Sequence, residues 1–241
     1  MGASSGIGLA VAEAFASRGV MTGLAARHTT ALRALKEKYP GCVEYESIDI
    51  THADAPKKML ELIEKMGGMD IYFHVSGIGY DNPDLDPQRE VDVIATNAGG
   101  FARMISAAYG YFRDHGGKGR IVAVTSVAGT NGLARLSAYS ASKKCAQTYL
   151  VALEQLAHAE KSDVSFTDIR PGWIRTPLLH EDSEYPMEMT LDYALPQIIR
   201  AIVRHPRVAY IDCRWGAVCT LWKMIPDCIW TRLDIPVSKK V

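Results

Sequence analysis

A chain of 241 residues in which 27 Lys and Arg balance 27 Asp and Glu lacks the basic field that nucleic-acid binding needs, and its length suits one α/β domain over residues 1–241. Five cysteines without a C-x-x-C pair and seven histidines without ligand spacing indicate neither a metal site nor a disulfide framework. No stretch reaches the ~18 apolar residues of a membrane span and no charged-then-apolar leader is seen, so a soluble protein of a reducing cytoplasm is expected.

In chain order, the opening "MGASSGIGLA" reads as a Gly-rich turn entering a helix over Ile7 to Arg18, with Gly19 as its stop. Val20 to Ala26 is a buried strand, Thr29 to Lys38 a helix, Val43 to Asp49 a strand and His52 to Met66 a helix. Asp70 to Val75 is a strand, Pro87 to His115 one long helix, Arg120 to Ser126 a strand and Ala138 to Glu160 a second long helix. Val164 to Ile169 is a strand before "RPG"; a polar stretch leads to a helix over Leu191 to His205 and a last strand over Val208 to Asp212. This alternation predicts a Rossmann-like, doubly wound parallel sheet in a three-layer α/β/α arrangement. Its ligand crevice lies beyond the carboxyl ends of the strands, where the Gly turn, "SIDI", "VSG", "TSVAG" and "RPGW" all fall.

Ser126 closes a strand, and Tyr139 and Lys143 lie four apart on one face near a helix start. A Lys ammonium and a cationic nicotinamide beside a phenol both favour the phenolate, lowering its pKa from about 10 toward the working range. Tyr139 would then exchange a proton with a substrate oxygen that Ser126 also binds. On its own the Y-x-x-x-K spacing equally suits a packed Tyr and a surface Lys.

Together, the N-terminal G-x-x-x-G-I-G, the strand-end Ser thirteen residues before Y-x-x-x-K, and "RPGWIRTPL" resemble the short-chain dehydrogenase/reductase family in its compact single-domain branch, over nearly the whole chain. The resemblance implies Ser126, Tyr139 and Lys143 as the catalytic serine, tyrosine and lysine, and Asn97 as the asparagine holding a water in the proton relay; a helix kink beside Gly99 and Gly100 also accounts for Asn97. It implies that Gly2, Gly6 and Gly8 let the backbone approach a pyrophosphate. Ser4 and Ser5 either donate to phosphate or cap the helix. Asp49 either meets the adenine or caps the next helix. Ile7, Ile50, Gly77, Pro171, Gly172, Ile174 and Thr176 complete the expected cofactor-binding set with Tyr139 and Lys143, Thr176 touching the nicotinamide carboxamide. Where the family carries a ribose-binding acid stands Ala26, followed by Arg27 and His28. A guanidinium suits a 2′-phosphate, so NADP(H) is expected over NAD(H), an exposed helix-start Arg being the plainer alternative.

Two departures stand out. "HVSG" (His74 to Gly77) replaces the family's N-N-A-G, and a buried His74 hydrogen-bonded to backbone is expected. The family's first strand is also missing ahead of Gly2, which implies a slot in the sheet; Met1 is expected to be a misplaced start or an incomplete chain end, with some seven apolar residues upstream, roughly one strand and its turn. Trp173 to Thr190, with Leu178, Leu179, Tyr185, Pro186 and Met187, lies where the family has a substrate lid, pointing to a partly apolar carbonyl or alcohol. The apolar extension from Arg214 onward either covers the substrate entrance, packs within a dimer or tetramer, which is preferred, or rests on a membrane surface. The expected activity is hydride transfer between NADP(H) and a carbonyl or secondary alcohol, with a catalytically silent NADP(H) sensor as the rival. A sugar-nucleotide epimerase would need a further domain.

Overall fold

Short apolar runs alternate with stretches of helical periodicity, and the structure, a computed structural model described over residues 1–179, 183–235 and 239–240, keeps that order. The first half comprises α1 (Gly6–Ala16), β1 (Thr22–Ala26), α2 (Thr30–Lys38), β2 (Val43–Ser47), α3 (Ala55–Met66) and β3 (Ile71–His74). There follow α4 (Pro87–Ile94), a π-helical turn (Ala95–Gly100), α5 (Phe101–Asp114), β4 (Lys118–Val124), α6 (Ser137–Ala159) and β5 (Asp163–Pro171). The chain then forms β6 (Ser183–Glu184), α7 (Leu191–Arg204), β7 (Val208–Ile211), α8 (Cys213–Met224), α9 (Asp227–Trp230) and β8 (Lys239–Lys240).

All the central pairings are parallel. β1 pairs with β2, and β3, β4, β5 and β7 form a four-stranded sheet in that order. Successive residues of β4 point to opposite faces, as a pleated strand requires. Ile121 and Ala123 enter a core with Met59, Met104, Ile105, Phe112 and Leu150 of α3, α5 and α6. Val122 and Val124 enter another with Val11, Ile198 and Ile202 of α1 and α7. Fully burying each of these larger side chains contributes about 1.5–3 kcal/mol, so the sheet is fixed from both faces.

The long helix expected over Pro87 to His115 is divided by the π turn. Its last residue, Gly100, lies so close to Ile50 that an added Cβ would come within 2.7 Å of Ile50 Cγ1, and the wider turn also presents buried Asn97 inward. The C-terminal extension folds as α8 and α9, two helices the sequence reading did not foresee, separated at Pro226.

The expected slot is present between β1 and β3, which belong to separate sheets. Only one end of it is bridged: Gly2 and Ala3 N–H groups donate to Ala25 O (2.7 and 3.2 Å), the Met1 amino group donates to Phe73 O (2.8 Å), and Val75 N–H donates to Met1 O (3.0 Å). The remainder is a cleft of about 420 Å³ whose walls include Phe15, Leu24, Met66 and Phe73.

Candidate active site

Three glycines shape the first cleft. Gly2 has φ +90°, and a Cβ there would lie 2.6 Å from Ser76 N; a Cβ on Gly8 would lie 2.0 Å from Gly2 O. Neither position tolerates a side chain, so the turn lies flat against the start of α1. Ser5 precedes that helix in extended conformation without a side-chain cap bond, which removes helix capping as the account of Ser5. The first-turn amides of a helix have no preceding carbonyl to meet and are suited to an anion. They belong to residues lining a cleft of about 270 Å³ bounded by Gly2, Ser4, Ser5, Gly6, Ile7, Gly8, Arg27, Asp49, Ile50, Gly77 and Thr176. Arg27 is exposed at its edge. Asp49 Oδ1 accepts from Thr51 N (2.9 Å) and Thr51 Oγ1 (2.7 Å), so it caps a local turn and not α3, whose N-cap is Asp54. Desolvation works to raise its pKa, but these bonds, with His52 and Arg27 nearby, hold the carboxyl below its ordinary value.

A second cavity, about 140 Å³, adjoins the first, sharing Ile7, Val75, Gly77, Thr176 and Leu178. Ser126, Tyr139, Lys143, Pro171, Gly172 and Ile174 line it. Ser126 follows β4, and its Oγ accepts from Ala128 N (3.1 Å). Tyr139 and Lys143 project from one face of α6, with the Lys143 ammonium 5.5 Å from the phenol ring centre. Burial raises the Tyr139 pKa while a hydrogen bond with Ser126 lowers it, with a net upward result. Burial lowers Lys143 to about 8, opposed by the Asp168 carboxylate. Burial thus outweighs the Ser126 bond, the acidifying effect expected of Lys143 does not appear, and the phenol keeps its proton at neutral pH.

Asn97 lies behind this wall. Its Oδ1 accepts from Ile78 N (2.9 Å), and its Nδ2 donates to Ile78 O (2.7 Å) and Ser142 Oγ (3.3 Å). A Cβ on Gly77 would stand 3.2 Å from Asn97 Oδ1 and 3.5 Å from Lys143 Nζ, so both groups border the space that a side chain there would fill. His74 is fully buried as expected; the backbone of Ser76 bonds the ring, as foreseen, and its Nδ1 also meets the Tyr72 hydroxyl at 3.0 Å.

Other participants escaped the sequence reading. Gln147 is one further turn along the Tyr139–Lys143 face, and its Nε2 donates to Ser126 O (2.8 Å); the i, i+4, i+8 spacing was a usable signal. Asp168 and Arg170 form a buried pair (2.6 Å), with Thr125 Oγ1 donating to Asp168 Oδ1 (2.5 Å). Two charges on one face of a strand otherwise read as buried were the clue. Trp215 and Trp222 also line the cavity, with Trp173, Leu178, Leu179 and Tyr185 from the expected lid. The aromatic part of the C-terminal extension thus packs within its own chain, while Leu221, Met224 and Ile229 stay exposed. His180, Glu181 and Asp182 of the lid lie outside the described residues. Among the described residues, no helix is long and apolar enough to cross a membrane.

Comparison with known proteins agrees with this geometry. The family profile described as short chain dehydrogenase matches residues 1–186. An uncharacterized oxidoreductase of Myxococcus xanthus is 32% identical over 234 residues, covering 94% of this chain and 91% of that protein. A short chain dehydrogenase/reductase from Burkholderia phymatum in complex with NAD matches with a TM-score of 0.82 at 18% identity, over 98% of this chain and 94% of that one. A short-chain dehydrogenase from Sphingobium yanoikuyae in complex with NADPH matches with a TM-score of 0.76 at 23% identity, over 94% of each chain.

Proposed function

The chain belongs to the short-chain dehydrogenase family of oxidoreductases, and on that footing we propose that it moves a hydride between NADP(H) and a carbonyl or secondary alcohol. The observation that carries this reading is the meeting of the Ser126 and Tyr139 hydroxyls, with Lys143 beside them, where the two clefts join.

The cradle fits a dinucleotide, because Gly2 and Gly8, without side chains, let the turn pack closely on Ser76 and on the start of α1, which sets the helix-start amides along the cleft. Gly2, Ser4, Ser5, Gly6, Ile7 and Gly8 would hold the pyrophosphate, and Asp49 and Ile50 the adenine side. Gly77, Pro171, Gly172, Ile174 and Thr176 would hold the nicotinamide side. A bound nicotinamide supplies or takes up the hydride. Both relatives with bound cofactor quoted above, one with NAD and one with NADPH, are compatible with this use of the cleft. Arg27 follows β1 with Ala26 in place of an acid, and a guanidinium there favours the cofactor carrying an extra ribose phosphate.

Ser126 Oγ accepts a hydrogen bond from Ala128 N–H, and its own proton, directed at Tyr139, would turn to a carbonyl oxygen bound between the two hydroxyls. Tyr139, kept protonated by burial, gives its proton to the same oxygen as the carbonyl is reduced, and takes one back in the reverse direction. The Lys143 ammonium stabilises the phenolate left behind. Asn97 and Lys143 both border the space a side chain at Gly77 would fill, a position in which Asn97 would hold the water through which a proton returns to the lysine.

Tyr139→Phe and Arg27→Ala test the reading by ketone reduction and cofactor titration. Tyr139→Phe is expected to bind NADPH as the unaltered protein does and to lose roughly 10²–10⁴-fold in kcat. Arg27→Ala should weaken NADPH roughly 10–100-fold, the worth of a charge-assisted contact, with little change for NADH. Full activity in Tyr139→Phe would contradict the assignment, and cofactor binding without turnover of any carbonyl would favour a sensor.

A further inference from the structure

The catalytic hydroxyls open on one side into a cavity whose other walls are nearly all hydrocarbon. Leu133, Leu136, Trp173, Trp215 and Trp222 contribute to them. Among the described residues lining this cavity, only Asp81 and Lys143 are charged at neutral pH; Asp81 is paired, and Lys143 is the ammonium set beside the Tyr139 phenol. Arg135 pairs with Asp81 through Nε (2.8 Å) and Nη2, and Lys143 donates to Val124 O (3.3 Å). The nearby buried guanidinium of Arg170 is bound to Asp168. An anionic substituent on the hydrocarbon side would lose its water and meet no cation there, which is a large penalty.

The aromatic walls are held in place. Trp215 meets Trp222 edge to face at 6.2 Å, and Trp222 meets Trp230 at 5.3 Å. Trp230 Nε1 donates to Gly132 O (2.7 Å) and Asn131 Nδ2 donates to Trp222 O (3.1 Å), tying this row to the loop before α6. Trp173, also in the lining, stacks on Tyr185 at 4.7 Å and 30°. A ring inserted between such faces gains the offset and edge contacts that aromatic groups prefer. The volume, about 140 Å³, is close to the roughly 150 Å³ in which an apolar cavity accepts benzene.

We propose that this pocket selects neutral carbonyl compounds bearing an aromatic or similarly flat hydrocarbon group one ring in size, and rejects those with a carboxylate or phosphate beside the reacting carbon. The proposal rests on the oxidoreductase reading and names the substrate class of that site. α8 and α9 act as its specificity-determining wall, since Trp215, Trp222 and Trp230 all come from them.

Three carbonyls test it with NADPH: 4-phenyl-2-butanone, its keto-acid counterpart 2-oxo-4-phenylbutanoate, and 2-butanone. The expected kcat/KM for the phenyl ketone exceeds that for the keto acid by roughly 100-fold or more, reflecting the uncompensated charge. It also exceeds that for 2-butanone, and in Trp222→Ala the phenyl-ketone to butanone ratio falls roughly tenfold. A ratio is insensitive to partial loss of folded protein. Preference for the keto acid, or a ratio unmoved in Trp222→Ala, would overturn the proposal while leaving the oxidoreductase reading intact. If none of the three is reduced, that reading fails, and quenching of tryptophan fluorescence by the same ligands decides the pocket: tighter binding of the neutral ketone supports it, and equal or tighter binding of the keto acid overturns it.

Discussion

Lys143 holds an amino group in surroundings that disfavour its charge, which lowers its pKa from an ordinary 10.5 to about 8 in the folded protein. Between these two values the unfolded chain binds a proton that the folded one has released, so this group makes stability rise with pH across that window. Its ammonium, however, is lost above about pH 8. The kcat/KM for NADPH in ketone reduction, which reports the free enzyme, is therefore expected to fall through about pH 8. Lys143→Arg, which cannot lose its charge in this range, should carry the fall to higher pH in whatever activity remains; a profile flat from pH 7 to 9.5 in the unaltered protein would contradict this assignment. Ser126, Tyr139 and Lys143 were legible because strand end and helix spacing fix them locally. The protonated state of Tyr139 was not, since it depends on burial contributed by distant segments. Nor was the Tyr72 partner of His74: an i, i+2 pair on one strand face was visible, but a ring nitrogen can bond backbone equally well.

Elements in this chain announce themselves where their packing is one-sided and local. The strand and helix order through β7 was readable from periodicity, with boundaries moved by a few residues, except for the short β6 in the stretch read as a loop. The irregularity at Gly99 and Gly100 was read only as a kink; its π form was not legible, and neither was the close approach of Gly100 to Ile50, fifty residues earlier. α8 escaped for a similar reason: its aromatic residues are explained only by the cavity they close. The junction of β5 with α8 is correspondingly tight. A Cβ on Gly172 would come within 2.0 Å of Trp215 Nε1 and 2.4 Å of its Cε2, atoms of a large buried ring. Gly172→Ala is therefore expected to cost about 1–3 kcal/mol by overpacking, seen as a lower denaturation midpoint with an unchanged slope. Pairing it with Trp215→Phe should return part of the loss. A Gly172→Ala protein as stable as the parent would show that α8 is not seated as described.

At the scale of the whole molecule, the chain sets two neighbouring clefts across the carboxyl ends of its strands. One wall of the cofactor cleft comes from β1 and β2, through Arg27 and Asp49; the other comes from the segment after β3, through Val75 and Gly77. These strand pairs belong to different sheets, and Met1–Ala3 bond to both. The sequence order alone foretold the gap, since a Gly turn and helix came without a strand before them. How three residues would span it required coordinates. Ser126 and Tyr139 stand at the shared wall, and the account reduces to one event there: hydride reaches a carbonyl carbon as Tyr139 protonates its oxygen. NADPH deuterated at its transferable nicotinamide position, incubated with 4-phenyl-2-butanone, measures it directly by mass spectrometry of the product alcohol. The account predicts one deuterium on the carbinol carbon with the unaltered protein and almost none with Tyr139→Phe; deuterium transfer undiminished in Tyr139→Phe would contradict it.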